Sequence, residues 1–234
     1  MTALDFRSTS GNSSRSGGRF RLKDPISCLT HFAGFLLAAL GTPFLLVHAV
    51  NDGKPASTII ALAIFMGSMM LLYLASASYH AVNSTPTINR ILKKFDHMSI
   101  CVLIAGSYTP VCTAVLPQPT GTILMIAVWV FALAGMIFKL FWVHCPKWVS
   151  SVMYISMGWV CIAVMPQLIR LMETGQFIWL AAGGVFYTVG GLIYSSKKKF
   201  IPENSIGFGN HELFHLFIMT GSLCHFIMMF RYIA

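Results

Sequence analysis

Apolar residues in this chain fall into long runs separated by short polar breaks. A helix that crosses a bilayer needs about 20 predominantly apolar residues. Seven runs qualify: residues 26–50, 56–80, 96–115, 121–143, 148–170, 177–194 and 210–232. Asn51-Asp52-Gly53, Pro117-Gln118-Pro119, Cys145-Pro146 and Thr174-Gly175 mark tight connections, because Gly, Pro, Asn and Asp favour turns. Longer polar connections lie near residues 81–95 and 195–209. The pattern predicts an all-α, polytopic bundle of seven transmembrane helices over residues 25–234, with nothing left for a soluble domain. Residues 1–24 are rich in Ser, Gly and Arg, lack apolar periodicity and are expected to form a disordered tail. Pro43, Pro110 and Pro166 lie inside apolar runs and predict kinks, which membrane helices tolerate when neighbours satisfy the freed carbonyls. Gly183-Gly184 and Gly190-Gly191 predict a close helix contact.

Composition changes the solvent rather than the pattern. Hydrophobic residues make up 56% of the chain and charged residues 10%, with a mean hydropathy of +0.72. Such a chain is dissolved by lipid, so membrane lipids are its expected partners. The net charge of +9 would raise nucleic acid as a partner for a soluble protein. Here the position of the charges argues against that partner. Arg7, Arg15, Arg19, Arg21, Lys23, Arg90, Lys93, Lys94, Lys139, Lys147, Lys197, Lys198 and Lys199 belong to the tail or to the connections after segments two, four and six. Only Lys54, Arg170 and Arg231 fall on the other side. The excess of basic residues marks the cytoplasmic side, which predicts a cell-membrane protein with its N-terminus cytoplasmic and its C-terminus outside. A receptor coupled to G proteins has the opposite orientation. The six cysteines include no CxxC pair, so neither a disulfide framework nor a thiolate metal site is expected.

With that topology, His80 falls at the inner end of segment two, Asp96 at the inner start of segment three, and His211 and His215 in the first turns of segment seven. His211 and His215 are four residues apart, so a helix stacks them on one face. His80 supplies a third nitrogen from another helix. Three protein ligands with an open fourth position is the arrangement of catalytic zinc, although iron, nickel and copper also accept nitrogen ligands. Asp96 is the candidate general base for a bound water whose pKa the metal lowers. Its bland alternatives are an ion pair with Lys93 or Lys94, or a helix N-cap. Ser76, one turn before His80, is a candidate to orient the water or a substrate carbonyl; its alternative is a hydrogen bond back to the carbonyl four residues earlier. His225 lies about 15 Å along the helix from His215 and reads as a core histidine. Glu212 reads as a first-turn acid favoured by the helix dipole. His97 points away from Asp96 on a helix, and His31, His48 and His144 have no evident partner.

The motifs Ser76-Ala77-Ser78-Tyr79-His80, Phe95-Asp96-His97, Ala105-Gly106-Ser107-Tyr108-Thr109-Pro110, His211-Glu212-Leu213-Phe214-His215 and Cys224-His225-Phe226 together resemble the bacterial hemolysin III family. That family is related to the progestin and adipoQ receptors, which include the adiponectin receptors, and the resemblance covers residues 25–234. It implies a seven-helix fold with an inward N-terminus, a zinc ion on His80, His211 and His215, and a water supported by Asp96. It further implies kinship with membrane hydrolases that act on lipid amide bonds. Because the tail is short, the hormone-receptor function of the adiponectin receptors is not carried over.

Two function classes use these residues. One is a zinc-dependent hydrolase of a lipid amide or ester, with the metal polarising the carbonyl, Asp96 activating water and Ser76 steadying the oxyanion. The other is a sensor of lipid or bilayer state in which zinc clamps segments two and seven. A pore former is expected to carry an amphipathic insertion segment, and an ion-coupled transporter to carry acids near the midplane; neither pattern is present. Segment seven has no lysine for a retinal Schiff base. These classes rank behind the first two.

Overall fold

A computed structural model of the protein describes residues 22–201 and 208–234. The tail expected for residues 1–21 therefore lies outside the described residues, as does the stretch 202–207. The chain forms helices α1 (Pro25–Asn51), α2 (Ala56–Ala81), α3 (Pro86–Ala114), α4 (Thr120–Phe141), α5 (Lys147–Gly158), α6 (Met165–Leu171), α7 (Thr174–Ser195) and α8 (Asn210–Tyr232). A 3-10 stretch, Val160–Val164, joins α5 to α6. Counting α5 to α6 as one span, seven helical segments among the described residues are long and apolar enough to cross a membrane.

The spans pack in a closed sequence. α1 lies on α2, α2 on α3, α3 on α4, α4 on α5, α5 on α7, α7 on α8, and α8 returns to α1. α2 and α3 bury more residues than any other helices, with Phe65, Met66, Leu62 and Cys101 fully buried. The outward faces are apolar: Leu37, Leu40 and Phe44 are 65%, 64% and 69% exposed. An apolar exterior over buried Ser, His and Asp side chains is what a lipid solvent selects.

Small residues set two of the helix contacts. A Cβ on Gly183 of α7 would collide with the His225 ring of α8, and one on Gly190 would stand 3.0 Å from the Phe217 Cβ. The expected close contact of that glycine stretch is therefore realised between α7 and α8. On α3, a Cβ on Gly106 would meet the Ser68 Cβ of α2 at 2.7 Å.

The third span starts at Pro86, ten residues before the predicted position. Asn89, Arg90, Lys93 and Lys94 hide this stretch from a hydropathy count, yet Thr85 caps it by accepting the Ile88 N–H at 3.3 Å, with Pro86 in the first turn. Asp96 is thus well inside α3 rather than at its start. The fifth span is not one helix. Pro166 supplies no N–H for the carbonyl four residues earlier, and residues 159–164 leave the α-helical ladder. The Tyr108 hydroxyl of α3 fills the break, donating to the Gly158 carbonyl at 2.5 Å and accepting the Cys161 N–H at 3.1 Å. Pro43 and Pro110 lie within uninterrupted α1 and α3.

Lys139 also departs from its expected place among loop cations. It lies in the last turn of α4 and is fully buried, donating to Ser150 Oγ at 2.5 Å and Cys145 Sγ at 3.1 Å. All six cysteines are free.

Candidate metal centre

Two elements bring the three imidazoles together. His80 is the penultimate residue of α2, and His211 and His215 occupy one face of the first turns of α8. His80 Nε2 and His211 Nε2 are 3.1 Å apart. The rings of His215 and His211 are 4.5 Å apart between centroids, and those of His215 and His80 are 5.2 Å apart. One ligand atom from each lies within 4.8 Å of the other two, so the three form a group able to hold a single metal ion.

The start of α8 is fixed by Glu212, which accepts the Gly209 N–H at 2.9 Å and the Ser27 hydroxyl at 2.5 Å. It is the first-turn acid expected, with the added role of tying α8 to α1. Each of two histidines is oriented through its second nitrogen. His80 Nδ1 lies 2.8 Å from Asp24 Oδ2. A carboxylate there accepts Nδ1–H and turns the Nε2 lone pair towards the other rings. Thr30 Oγ1 gives its own proton to the Ser27 carbonyl at 3.0 Å. It is then an acceptor for His215 Nδ1–H at 3.4 Å, which leaves His215 Nε2 free for an ion.

Lys23 and Asp24, which the sequence places in the tail, are held against the end of α2. Their N–H groups donate to the Ala81 and His80 carbonyls at 3.3 and 2.9 Å. The Lys23 ammonium sits 3.4 Å from the Tyr79 ring centroid and 3.7 Å from Asp24. Desolvation lowers its pKa below the ordinary lysine value.

Two cavities meet at these residues. One, of about 320 Å³, is lined by apolar side chains of α3, α5, α6 and α7 and reaches His31, Ser76, Asp96, His211 and His215. Its α3 wall runs from Asp96 to Val111, about 22 Å at the helical rise. The other, of about 700 Å³, opens at the end of the bundle and has Asp24, His80, Asp96 and His211 in its lining. Asp96, His97, Tyr194 and His211 belong to both.

Asp96 is buried, with Oδ2 3.5 Å from His97 Nδ1. Neither of its bland alternatives is realised: it caps no helix, and its ion-pair partner among the described residues is His97. Ser76 is also buried, and its hydroxyl has no hydrogen-bond partner among the described residues. The backward hydrogen bond considered for it is made instead by Ser78, to the Leu74 carbonyl at 2.7 Å. His225 is the core histidine expected, 3.3 Å from the Leu180 carbonyl. His48 lies beside Asp52 and Phe230 at the far end of α1, and His144 beside Lys93.

His31 is one of three histidines that the sequence left unpartnered. Its ring stacks on His215 with centroids 3.7 Å apart and planes 8° from parallel. Both of its ring nitrogens lack hydrogen-bond partners among the described residues. Buried polar atoms are almost always hydrogen-bonded. Orphans on His31 and Ser76, both lining one cavity beside the histidine group, are the pattern of a site that receives polar atoms from a ligand or water. An ionisable residue within an apolar run was the available signal for His31.

A seven-span bundle with a buried histidine group at the seam of two cavities defines a multi-pass membrane protein with a candidate metal centre. Residues 21–226 match the Haemolysin-III related family, and the chain belongs to that family. It is 33% identical to Hemolysin-3 of Bacillus cereus over 215 residues, 92% of this chain and 94% of the relative. It is 36% identical to the Hemolysin-3 homolog of Bacillus subtilis (strain 168) over 214 residues, 91% and 96% of the two chains. Human monocyte to macrophage differentiation factor is 24% identical over 211 residues, 88% of this chain and 83% of that protein. The latter match agrees with the wider relation to the progestin and adipoQ receptors.

Proposed function

We propose that this protein is a zinc-dependent hydrolase of the cell membrane that cleaves an amide or ester bond of a lipid, with its N-terminus and histidine group on the cytoplasmic side. The observation that carries the reading is the seam: the histidines and Asp96 stand where an apolar cavity meets a polar one. A lipid whose acyl chain fills the first cavity presents its carbonyl at the seam and its head group to the second.

Zinc fits the donor set. Tetrahedral bonds of about 2.0–2.1 Å to nitrogen place two ligand nitrogens about 3.3 Å apart, close to the 3.1 Å between His80 Nε2 and His211 Nε2. When bound, zinc supplies Lewis-acid polarisation and a water of near-neutral pKa. The remaining work falls to the chain. The Asp96 carboxylate accepts the proton of the attacking water. The Ser76 hydroxyl, with no partner among the described residues, donates to the oxygen on which negative charge develops. The apolar walls exclude bulk water and align the acyl chain.

A second reading keeps the metal as a clamp in a lipid or bilayer sensor. It is favoured by one observation: among the described residues α2 and α8 are not one of the closely packed helix pairs, so an ion held by the histidines would add a tie between them. The two are separated by measuring fatty acid release from defined N-acyl and O-acyl lipids by the purified protein, with and without chelator. Chelator-sensitive release that is lost in Asp96→Asn, with metal retained, supports the hydrolase. Loss of folding on chelation without release from any lipid supports the clamp.

A further inference from the structure

The polar cavity has a second chemistry beyond the histidine group. Lys23, Lys93, Lys147, Lys197 and Lys199 line it, contributed by the approach to α1, by α3, by the start of α5 and by the segment after α7. Three carboxylates share the lining, and each is engaged. Asp24 faces His80 and Lys23, Glu212 holds Ser27 and the Gly209 N–H, and Asp96 lies against His97. Among the described residues, Lys93, Lys147, Lys197 and Lys199 have no carboxylate partner. Lys147 stands 5.0 Å from the Tyr194 ring centroid, and Lys93 3.3 Å from His144 Nδ1. The Lys93 ammonium pushes the His144 imidazole below its ordinary pKa, and an imidazole in either protonation state gives no compensating negative charge.

Cations on the walls of one concavity repel each other until an anion enters. The excess of basic residues on a cytoplasmic face accounts for cations around a bundle rim, but it does not gather them into a hollow. Arg90, Lys94 and Lys198 come from the same connections and do not line the cavity. Ammonium groups from several elements suit a compact multivalent oxyanion, and lysine binds phosphate as a point charge. The floor of this hollow is also the mouth of the apolar cavity, through Asp96 and His211.

We propose that the lysine-lined hollow binds the phosphate of a single-chain phospholipid whose acyl chain enters the apolar cavity, which makes the substrate class an anionic lipid rather than a neutral one. This rests on the hydrolase reading for the reaction, while the binding itself is measured without turnover.

The test is native mass spectrometry of the full chain in an uncharged detergent. The probes are lysophosphatidic acid, a monoacylglycerol of the same acyl chain, and inorganic phosphate as competitor. Wild type is expected to retain lysophosphatidic acid about ten-fold more tightly than the monoacylglycerol. Lys147, Lys197 and Lys199 are exposed, so the triple variant Lys147→Gln, Lys197→Gln, Lys199→Gln is expected to fold and to lose that preference. The charge-matched variant Arg90→Gln, Lys94→Gln, Lys198→Gln is expected to keep it. Equal retention of the two lipids by wild type, or equal loss in both variants, overturns the proposal. Displacement by inorganic phosphate at the same concentration as the lipid overturns the lipid assignment and leaves free phosphate as the ligand. Metal content is measured on the same preparations. Failure of the hydrolase reading shows separately, as absence of fatty acid release from every lipid with this binding result unchanged.

Discussion

Replacement of Asp24 tests the metal account from outside the ligand set. Its carboxylate lies 2.8 Å from His80 Nδ1, with the His80 side chain 4% exposed and that of Asp24 43% exposed. Asp24→Asn keeps the size but removes the charge that favours Nδ1–H, so the His80 Nε2 lone pair is less firmly directed and less basic. Carboxylates that orient metal-bound histidines contribute about 10–100-fold to metal affinity, or about 1.4–2.7 kcal/mol. Water reaches Asp24, and Lys23 already draws on its charge at 3.7 Å. The Asn variant therefore belongs at the low end, about ten-fold, and Asp24→Ala higher within the range. The Asp24 N–H donates to the His80 carbonyl at 2.9 Å in any variant, so the chain stays docked on α2. The assay is competition between purified protein and a chromogenic zinc chelator, with helicity measured alongside. Zinc affinity within about two-fold of wild type in both variants would mean that Asp24 does not orient His80 for metal.

Two further substitutions probe the frame that holds the site. Tyr108→Phe removes the hydroxyl that serves the Gly158 carbonyl and Cys161 N–H. It is expected to cost about 1–3 kcal/mol, read as a lower thermal midpoint in detergent; an unchanged midpoint would mean the break in the fifth span supports itself. Lys139→Ala truncates a fully buried side chain and leaves Ser150 and Cys145 without their donor. A loss of about 2–4 kcal/mol is expected, whereas Lys139→Met, which refills the space, recovers most of it. Equal effects of the two would show that the ammonium rather than the stem stabilises this turn.

The spans and the histidine group were legible because both follow from simple periods. Apolar runs count the helices, and a spacing of four residues puts His211 and His215 on one face. His80 joined them through topology alone. What escaped depends on contacts that no local pattern encodes. Asp24 reads as the last residue of a polar tail, and its partner His80 is 56 positions away. His31 sits in an apolar run whose period does not specify which ring it meets, and His215 is supplied by the last span. The first turns of α3 are polar enough to resemble a loop, although Thr85-Pro86 was a readable start signal. Pro166 announced a disturbance, but where α5 stops is set by the Tyr108 hydroxyl of another helix. Lys139 looks like any cation at a helix end until Ser150 and Cys145 fold over it.

On the proposed reading His80, His211 and His215 hold one ion between α2 and α8. Elemental analysis of purified protein tests it most directly, on wild type beside His80→Ala, His211→Ala and His215→Ala, with His225→Ala as the comparison outside the group. About one zinc per chain is expected in wild type and in His225→Ala, with marked loss in each of the other three. Metal content unchanged across all five proteins would contradict the account.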